Sequence, residues 1–61
     1  MQVMIHDIKE NDAYHNMRDH LIGKKADVIG RLQDNSDGSV NGCLRIDGRK
    51  RIFAAVVLSH V

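Results

Sequence analysis

The stretch VNGCLRIDGRKRIFAAVVL, residues 40–58, holds two apolar runs on either side of one turn signal. Small or apolar residues recur in its first half with the period of two that is typical of a half-buried strand: Val40, Gly42, Leu44 and Ile46. Asp47-Gly48 is a strong hairpin signal, because the favoured tight turns need residues that accept positive φ. Residues 52–57 supply the return strand. The stretch predicts a β-hairpin whose register stays open, since loops of two and three residues would oppose different partners to Leu44.

The same period of two occurs upstream of this hairpin. From Lys24 onward, the predicted inward face carries Ala26, Val28, Gly30 and Leu32, and the other face carries Lys25, Asp27, Ile29 and Arg31. The run Asp34-Asn35-Ser36-Asp37-Gly38 consists of turn formers, so we expect the chain to reverse there. Residues 2–6 alternate weakly, as in a short first strand, and residues 58–61 are long enough for a last strand pairing near it.

Residues 7–20 form a polar and acidic segment between the first two predicted strands. Asp12 is placed to cap a short helix, with Gly23 ending it. In that helix, three side chains fall on one face and would dock on the sheet: Tyr14, Met17 and Leu21. A structured loop with one helical turn near residues 12–20 fits the same pattern, because isolated helices under about 12 residues are marginal in water.

The size and composition of the chain predict one domain, residues 1–61, of the mainly β class. It has 61 residues, two aromatic side chains, one cysteine, no proline and a formal net charge of +1. Its longest apolar run is far shorter than the roughly 20 residues that cross a bilayer, and its amino terminus lacks the pattern of a secretion signal. We expect a cytoplasmic protein, folded as a small barrel of four to five antiparallel strands, because closure removes unpaired strand edges.

Four segments together resemble small SH3-like barrels, in particular short uncharacterised proteins of phages and prophages. They are Leu21-Ile22-Gly23-Lys24-Lys25-Ala26-Asp27-Val28, Asp37-Gly38, Asp47-Gly48 and Ile52-Phe53-Ala54-Ala55-Val56-Val57-Leu58. The likeness spans about two thirds of the chain and implies an SH3-like fold. KOW-type barrels begin their strand with a related glycine-x-x-glycine-x-valine motif, and this chain has Ala26 where that motif has its second glycine. Peptide-binding SH3 domains match less well, because their groove needs several aromatic side chains.

A group of basic residues is the candidate binding site. The segment from Arg45 to Arg51 holds four positive charges on the predicted hairpin tip. These charges would contact an acidic protein surface or phosphates. The other interpretation is that they only keep a solvent-exposed turn soluble. The full candidate set is Arg45, Arg49, Lys50, Arg51, Lys24, Lys25 and Arg31. Residues 1–23 are net acidic and residues 24–61 net basic, so self-association between unlike ends is a further use of these charges.

No arrangement of residues points to catalysis, a cofactor or a metal. The histidines and Cys43 have no metal-ligand spacing, and Cys43 has no activating histidine nearby in sequence. Asp34, Asp37 and Asp47 lie at predicted turns, where aspartate is expected for backbone capping. The sequence therefore predicts a non-enzymatic binding or regulatory module that contacts a protein partner and no membrane. Two alternatives are a barrel that binds DNA or RNA through the basic hairpin and a structural subunit of a homo-oligomer.

Overall fold

A computed structural model describes residues 1–61 and has four strands and two short helical turns. Their bounds are β1 Gln2–Ile8, a 3-10 turn His15–Met17, α1 Arg18–Leu21, β2 Lys25–Asp34, β3 Val40–Ile46 and β4 Arg49–His60. All neighbouring strands are antiparallel, and β4 returns to β1, so the strands form a closed barrel in chain order. Closure is uneven, because β1 pairs with β2 at three residue positions and with β4 at five. The predicted mainly β barrel is confirmed.

The core fills the inside of this barrel and comes from every strand. Leu44 and Ile46 are buried at the positions that the alternation of β3 predicts, and Phe53 of β4 is buried with them. The complete cluster consists of Val3, Ile5, Ile8, Leu21, Ala26, Leu44, Ile46, Phe53 and Val56. No helix of the chain has the length and apolar character needed to cross a membrane.

The hairpin register, which the sequence left open, follows from a two-residue loop. Ile46 lies opposite Arg49, and Leu44 lies opposite Arg51. Asp47 and Gly48 have φ values of 52° and 79°, the left-handed conformation that both central residues of a type I′ turn require. Side chains of β3 and β4 that are directly opposite therefore share a face of the sheet.

The barrel has four strands, because the predicted separate last strand is the end of β4. Leu58 pairs with Ile5, and His60 with Val3, in direct continuation of the strand that began at Arg49. No turn former interrupts residues 52–58, so the chain does not reverse there. Instead β4 bends at a bulge in its pairing with β3, which lets its first half pair with β3 and its second half with β1.

The predicted inward face of β2 breaks at Gly30. This residue is exposed and has a φ of 73°, in a stretch where the register with β3 shifts between Ile29 and Gln33. The prediction that Gly30 faces inward with Ala26 is therefore wrong, because an irregular glycine re-aims the residues that follow it. Leu32 nevertheless packs against the core from the far side of the irregularity.

The segment between β1 and β2 folds as helical turns, and its three apolar side chains dock as predicted. Leu21 is buried in the core, with Tyr14 and Met17 packed against it. The expectation that Asp12 caps the helix is wrong, since neither helical turn has a side-chain cap. Asp12 is buried instead, and its carboxylate accepts hydrogen bonds from the backbone N–H groups of Tyr14 and Ala55.

Candidate binding surfaces around the hairpin

Six of the seven predicted basic residues lie on the β3–β4 hairpin or where β2 begins. We call these residues the basic end: Lys24, Lys25, Arg45, Arg49, Lys50 and Arg51. Lys24 is tied to the hairpin by an ion pair, with 2.8 Å between its Nζ and Oδ2 of Asp47. Arg31 is separate, because it lies near the other end of β2, where its carbonyl oxygen faces Gly42.

The charges of the chain are segregated between the basic end and the rest. The hairpin and the start of β2 carry six basic residues and two acidic ones, Asp27 and Asp47, whereas the remaining residues carry three basic and six acidic. A net charge of +1 therefore conceals a positive region and a negative remainder. The positive region will attract anionic surfaces at distances up to about 10 Å at moderate ionic strength.

Part of the basic end faces outward next to an apolar strip. Cys43 of β3 lies between Ile29 of β2 and Ile52 of β4 in one cross-strand row, and we call these three residues the outer strip. Ile52 is 76% exposed, and the other two are half-buried. Arg45 and Lys50 are paired in the neighbouring row, so two cations border the strip on the same face.

The other part of the basic end lines a cleft of about 360 Å³ between α1 and the hairpin. We call this cleft the barrel-end pocket. Its cationic wall consists of Lys24, Arg49 and Arg51, with His20 beside them. Its apolar wall consists of Met17, Leu21 and Ile46, and Asp47 is the one carboxylate in its lining.

Arg51 is held in place by an aromatic ring. Its guanidinium carbon lies 5.4 Å from the ring centroid of Tyr14, within the range of a cation–π contact. Tyr14 in turn packs on Phe53, with 4.9 Å between the two ring centroids. The Nε of Arg51 is buried and has no hydrogen-bond partner. Both aromatic rings of the chain are therefore engaged internally.

A second cleft of about 510 Å³ lies at residues 7–11, next to the first helical turn. Its lining mixes acidic and basic side chains: Asp7, Lys9, Glu10, Arg18 and Asp37. Hydrogen bonds from the hydroxyl and the backbone N–H of Ser39 hold the pKa of the Asp37 carboxyl below its ordinary value. These bonds make Asp37 a capping residue of its turn, as the sequence predicted.

Sequence reasoning missed the residues that make the two surfaces apolar. Met17 and Leu21 were assigned to the core, and their second role at the pocket depends on how α1 meets the hairpin. The sequence predicts Ile52 only as part of the return strand, because the face of each residue there depends on the hairpin register, which stays open at that point. No group of three potential metal ligands comes together, and Cys43 is a free thiol in the outer strip.

Comparison with protein-family models, with curated proteins and with solved structures finds no match to this chain.

Proposed function

We propose that this protein is a non-enzymatic binding module that occupies an acidic protein surface with the outer face of its hairpin. One observation carries the proposal: Ile52 is exposed over 76% of its surface in a row of apolar side chains that Arg45 and Lys50 border. Apolar contact area flanked by cations suits a protein partner, because burying the strip supplies affinity while the charges supply orientation and a fast encounter.

The same geometry favours a protein over a nucleic acid. Sequence-tolerant binding of single strands relies on aromatic side chains that stack with bases, and Tyr14 and Phe53 are both packed internally. The outer face also offers few cations for phosphate contacts, because only Arg45 and Lys50 border the outer strip and Asp27 lies opposite Arg45 in the same row. An isoleucine in the middle of the outer face contributes nothing to a phosphate backbone.

The test compares capture of proteins from a bacterial lysate by three immobilised forms of the chain, with mass spectrometry as the readout. The first is the native protein, and the second is the double variant Lys50→Glu, Ile52→Ser, which alters only exposed side chains. The third is Arg31→Glu, a matched charge reversal on β2 outside the basic end. We expect one partner to bind the native protein and the Arg31 variant and to be lost with the double variant. Equal capture by all three forms contradicts the proposal.

Two further measurements separate the alternatives. Titration with duplex DNA and RNA at two salt concentrations would give a steep fall of affinity with salt if the protein binds nucleic acid, because each phosphate contact releases counterions. Light scattering at low salt reports self-assembly, which the segregated charges would drive by joining the positive end of one copy to the negative remainder of another. A discrete oligomer whose assembly depends on Lys50 and Ile52 would show that the partner is a second copy of this chain.

We also propose that the protein acts in the cytoplasm and derives from the SH3-like barrels of phages and prophages that its sequence resembles. The four-stranded ring supports this proposal, and so does the single free cysteine, because small domains of oxidising compartments usually rely on disulfides. Cell fractionation tests the location. Recovery of the protein from an extracytoplasmic fraction would contradict it.

A further inference from the structure

We propose that the barrel-end pocket is an oxyanion site that binds a phosphate monoester with a small apolar body. The site is distinct from the outer face that the proposed function uses, because Arg49 and Arg51 project to the opposite side of the sheet from Lys50 and Ile52. The two proposals can therefore fail separately.

Uncompensated charge is the first argument for an anion. The chain contains one ion pair, between Lys24 and Asp47, so neither Arg49 nor Arg51 has a carboxylate partner. The lining holds three permanent cations and one carboxylate. The excess of two positive charges matches the charge of a phosphate monoester at neutral pH, which lies between about −1.5 and −2.

The spacing of the two arginines is the second argument. They are two residues apart on β4, and alternate residues of a strand project to the same face at a separation of about 7 Å. Side chains as long as arginine that start from such neighbouring positions can reach different oxygens of one tetrahedral anion. Arginine suits this task because its planar fork donates two parallel hydrogen bonds to an oxyanion.

Arg51 is also held ready for such a ligand. The Tyr14 ring, 5.4 Å from the guanidinium carbon, limits the rotation of the side chain, so less conformational entropy is lost on binding. Its buried Nε–H has no acceptor within the protein, and an unsatisfied buried donor is costly. The guanidinium has no ion-pair partner either, so an anion that reaches its Nη atoms displaces no carboxylate.

The apolar wall argues for a ligand that is more than inorganic phosphate. Met17, Leu21 and Ile46 line the same cleft as the cations, with Met17 half-buried and the other two buried, and a pocket of about 360 Å³ falls in the size range of small-molecule sites. A phosphate alone would leave the half-buried Met17 in contact with water. A small apolar group attached to the phosphate would displace that water and add affinity.

The test is a titration of ¹⁵N-labelled protein at constant ionic strength, in which NMR follows the Nε–H signals of the arginines. Four probes are compared: phenyl phosphate, inorganic phosphate, benzoate and dimethyl phosphate. We expect saturable shifts at Arg49 and Arg51, with phenyl phosphate binding about tenfold tighter than inorganic phosphate because its ring contacts the apolar wall. Benzoate and dimethyl phosphate carry a single charge and should bind more weakly than phenyl phosphate. The diester also represents a nucleic-acid backbone. Tighter binding of the diester than of phenyl phosphate would therefore identify a nucleic acid as the source of the phosphate.

Variants assign the binding to the pocket. Arg49→Gln and Arg51→Gln should each weaken phenyl phosphate binding about tenfold. Asp47→Asn should strengthen it several-fold, because the change removes the one carboxylate of the lining while asparagine tolerates the left-handed turn conformation. Arg45→Gln is the matched control on the outer face and should leave binding unchanged.

The Asp47 variant also protects the test against a folding defect, since a gain of affinity requires a folded pocket. Absence of saturable shifts with all four probes overturns the proposal. So does an equal loss of affinity with Arg45→Gln and Arg49→Gln, because a diffuse electrostatic attraction would not distinguish them. If Asp47→Asn leaves the affinity unchanged, the anion does not enter the pocket.

Discussion

The carboxylate of Asp12 accepts a hydrogen bond from the backbone N–H of Ala55, with 2.7 Å between Oδ2 and N, across 43 residues of sequence. The contact lies at the bulge of β4, where pairing with β3 skips from Phe53 to Val56. A residue in a bulge is left without its ladder partner, and a buried N–H needs an acceptor from elsewhere. Asp12 supplies it and fixes the loop after β1 to the last strand.

Replacing Asp12 by alanine should destabilise the protein by about 2–3 kcal/mol, because it leaves the buried N–H of Ala55 without an acceptor. At about 0.05–0.15 kcal/mol per residue, the total stability of the 61 residues is roughly 3–9 kcal/mol, so this loss is a large share of it. Asp12→Asn keeps one acceptor oxygen and should cost less. Urea unfolding measures both variants. Equal losses for alanine and asparagine would show that the hydrogen bond to Ala55 is not the stabilising contact.

The bulge also shows where sequence reasoning stops. Alternation and turn formers identified β2, β3 and the hairpin, because inward positions such as Leu44 and Ile46 follow the period of the strand. The bend of β4 depends on how Phe53 and Val56 meet β3, and such cross-strand register is a property of two segments that neither encodes alone. For this reason one long strand was predicted as two.

The sequence likewise predicts which residues form the candidate site but not which way they face. The basic composition of the hairpin is visible in the sequence, but Arg49 and Arg51 face the pocket while Lys50 faces outward. That division follows from strand alternation only after the two-residue loop is known. The apolar wall from Met17 and Leu21 comes from a distant segment, so its placement required the tertiary fold.

Gly42 lies so close to β2 that an added side chain would displace its neighbours. A Cβ built at Gly42 would lie 2.5 Å from Cδ2 of Leu32 and 3.2 Å from the carbonyl oxygen of Arg31. Gly42→Ala should therefore destabilise the protein by about 1–3 kcal/mol, the usual cost of overpacking.

The double variant Gly42→Ala, Leu32→Ala tests that cause, because it removes the side chain that the new methyl group would strike. We expect it to be less destabilised than the sum of the two single variants, by about 1 kcal/mol in a double-mutant cycle. Thermal or urea unfolding of the four proteins gives the coupling. Strict additivity would assign the cost to the Arg31 carbonyl and the backbone instead.

Asp37 should contribute a pH dependence to stability at acid pH. Hydrogen bonds from Ser39 lower the pKa of its carboxyl, with the Ser39 hydroxyl as the largest cause. A carboxyl whose folded pKa is depressed stabilises the fold above its unfolded pKa, near 3.9 for aspartate, and this contribution is lost as pH falls through the folded pKa. The window therefore lies below about pH 4.

Ser39→Ala should raise the pKa of Asp37 toward its ordinary value, measured by the carboxyl carbon shift in an NMR titration. The rise should be partial, because the Ser39 backbone N–H still donates to Oδ1 of Asp37. Asp37→Asn is the control, since it removes the titrating group and with it this share of the acid-induced loss of stability. An unchanged pKa in the Ser39 variant would mean that the hydroxyl does not hold the carboxylate.

Tyr14 should act as a positioning residue for Arg51, because its ring contacts both that guanidinium and the buried ring of Phe53. Tyr14→Ala should cost about 2 kcal/mol in unfolding free energy, below the range for a fully buried aromatic, and should speed exchange of the Arg51 Nε–H with water. Tyr14→Phe keeps the ring. It should change the unfolding free energy by no more than about 0.5 kcal/mol and the exchange rate by no more than about twofold. The alanine variant should also weaken phenyl phosphate binding several-fold, although Tyr14 does not line the pocket. A folded alanine variant with unchanged Nε–H exchange would show that the ring does not restrain Arg51, and the entropic part of the anion-site argument would then be lost.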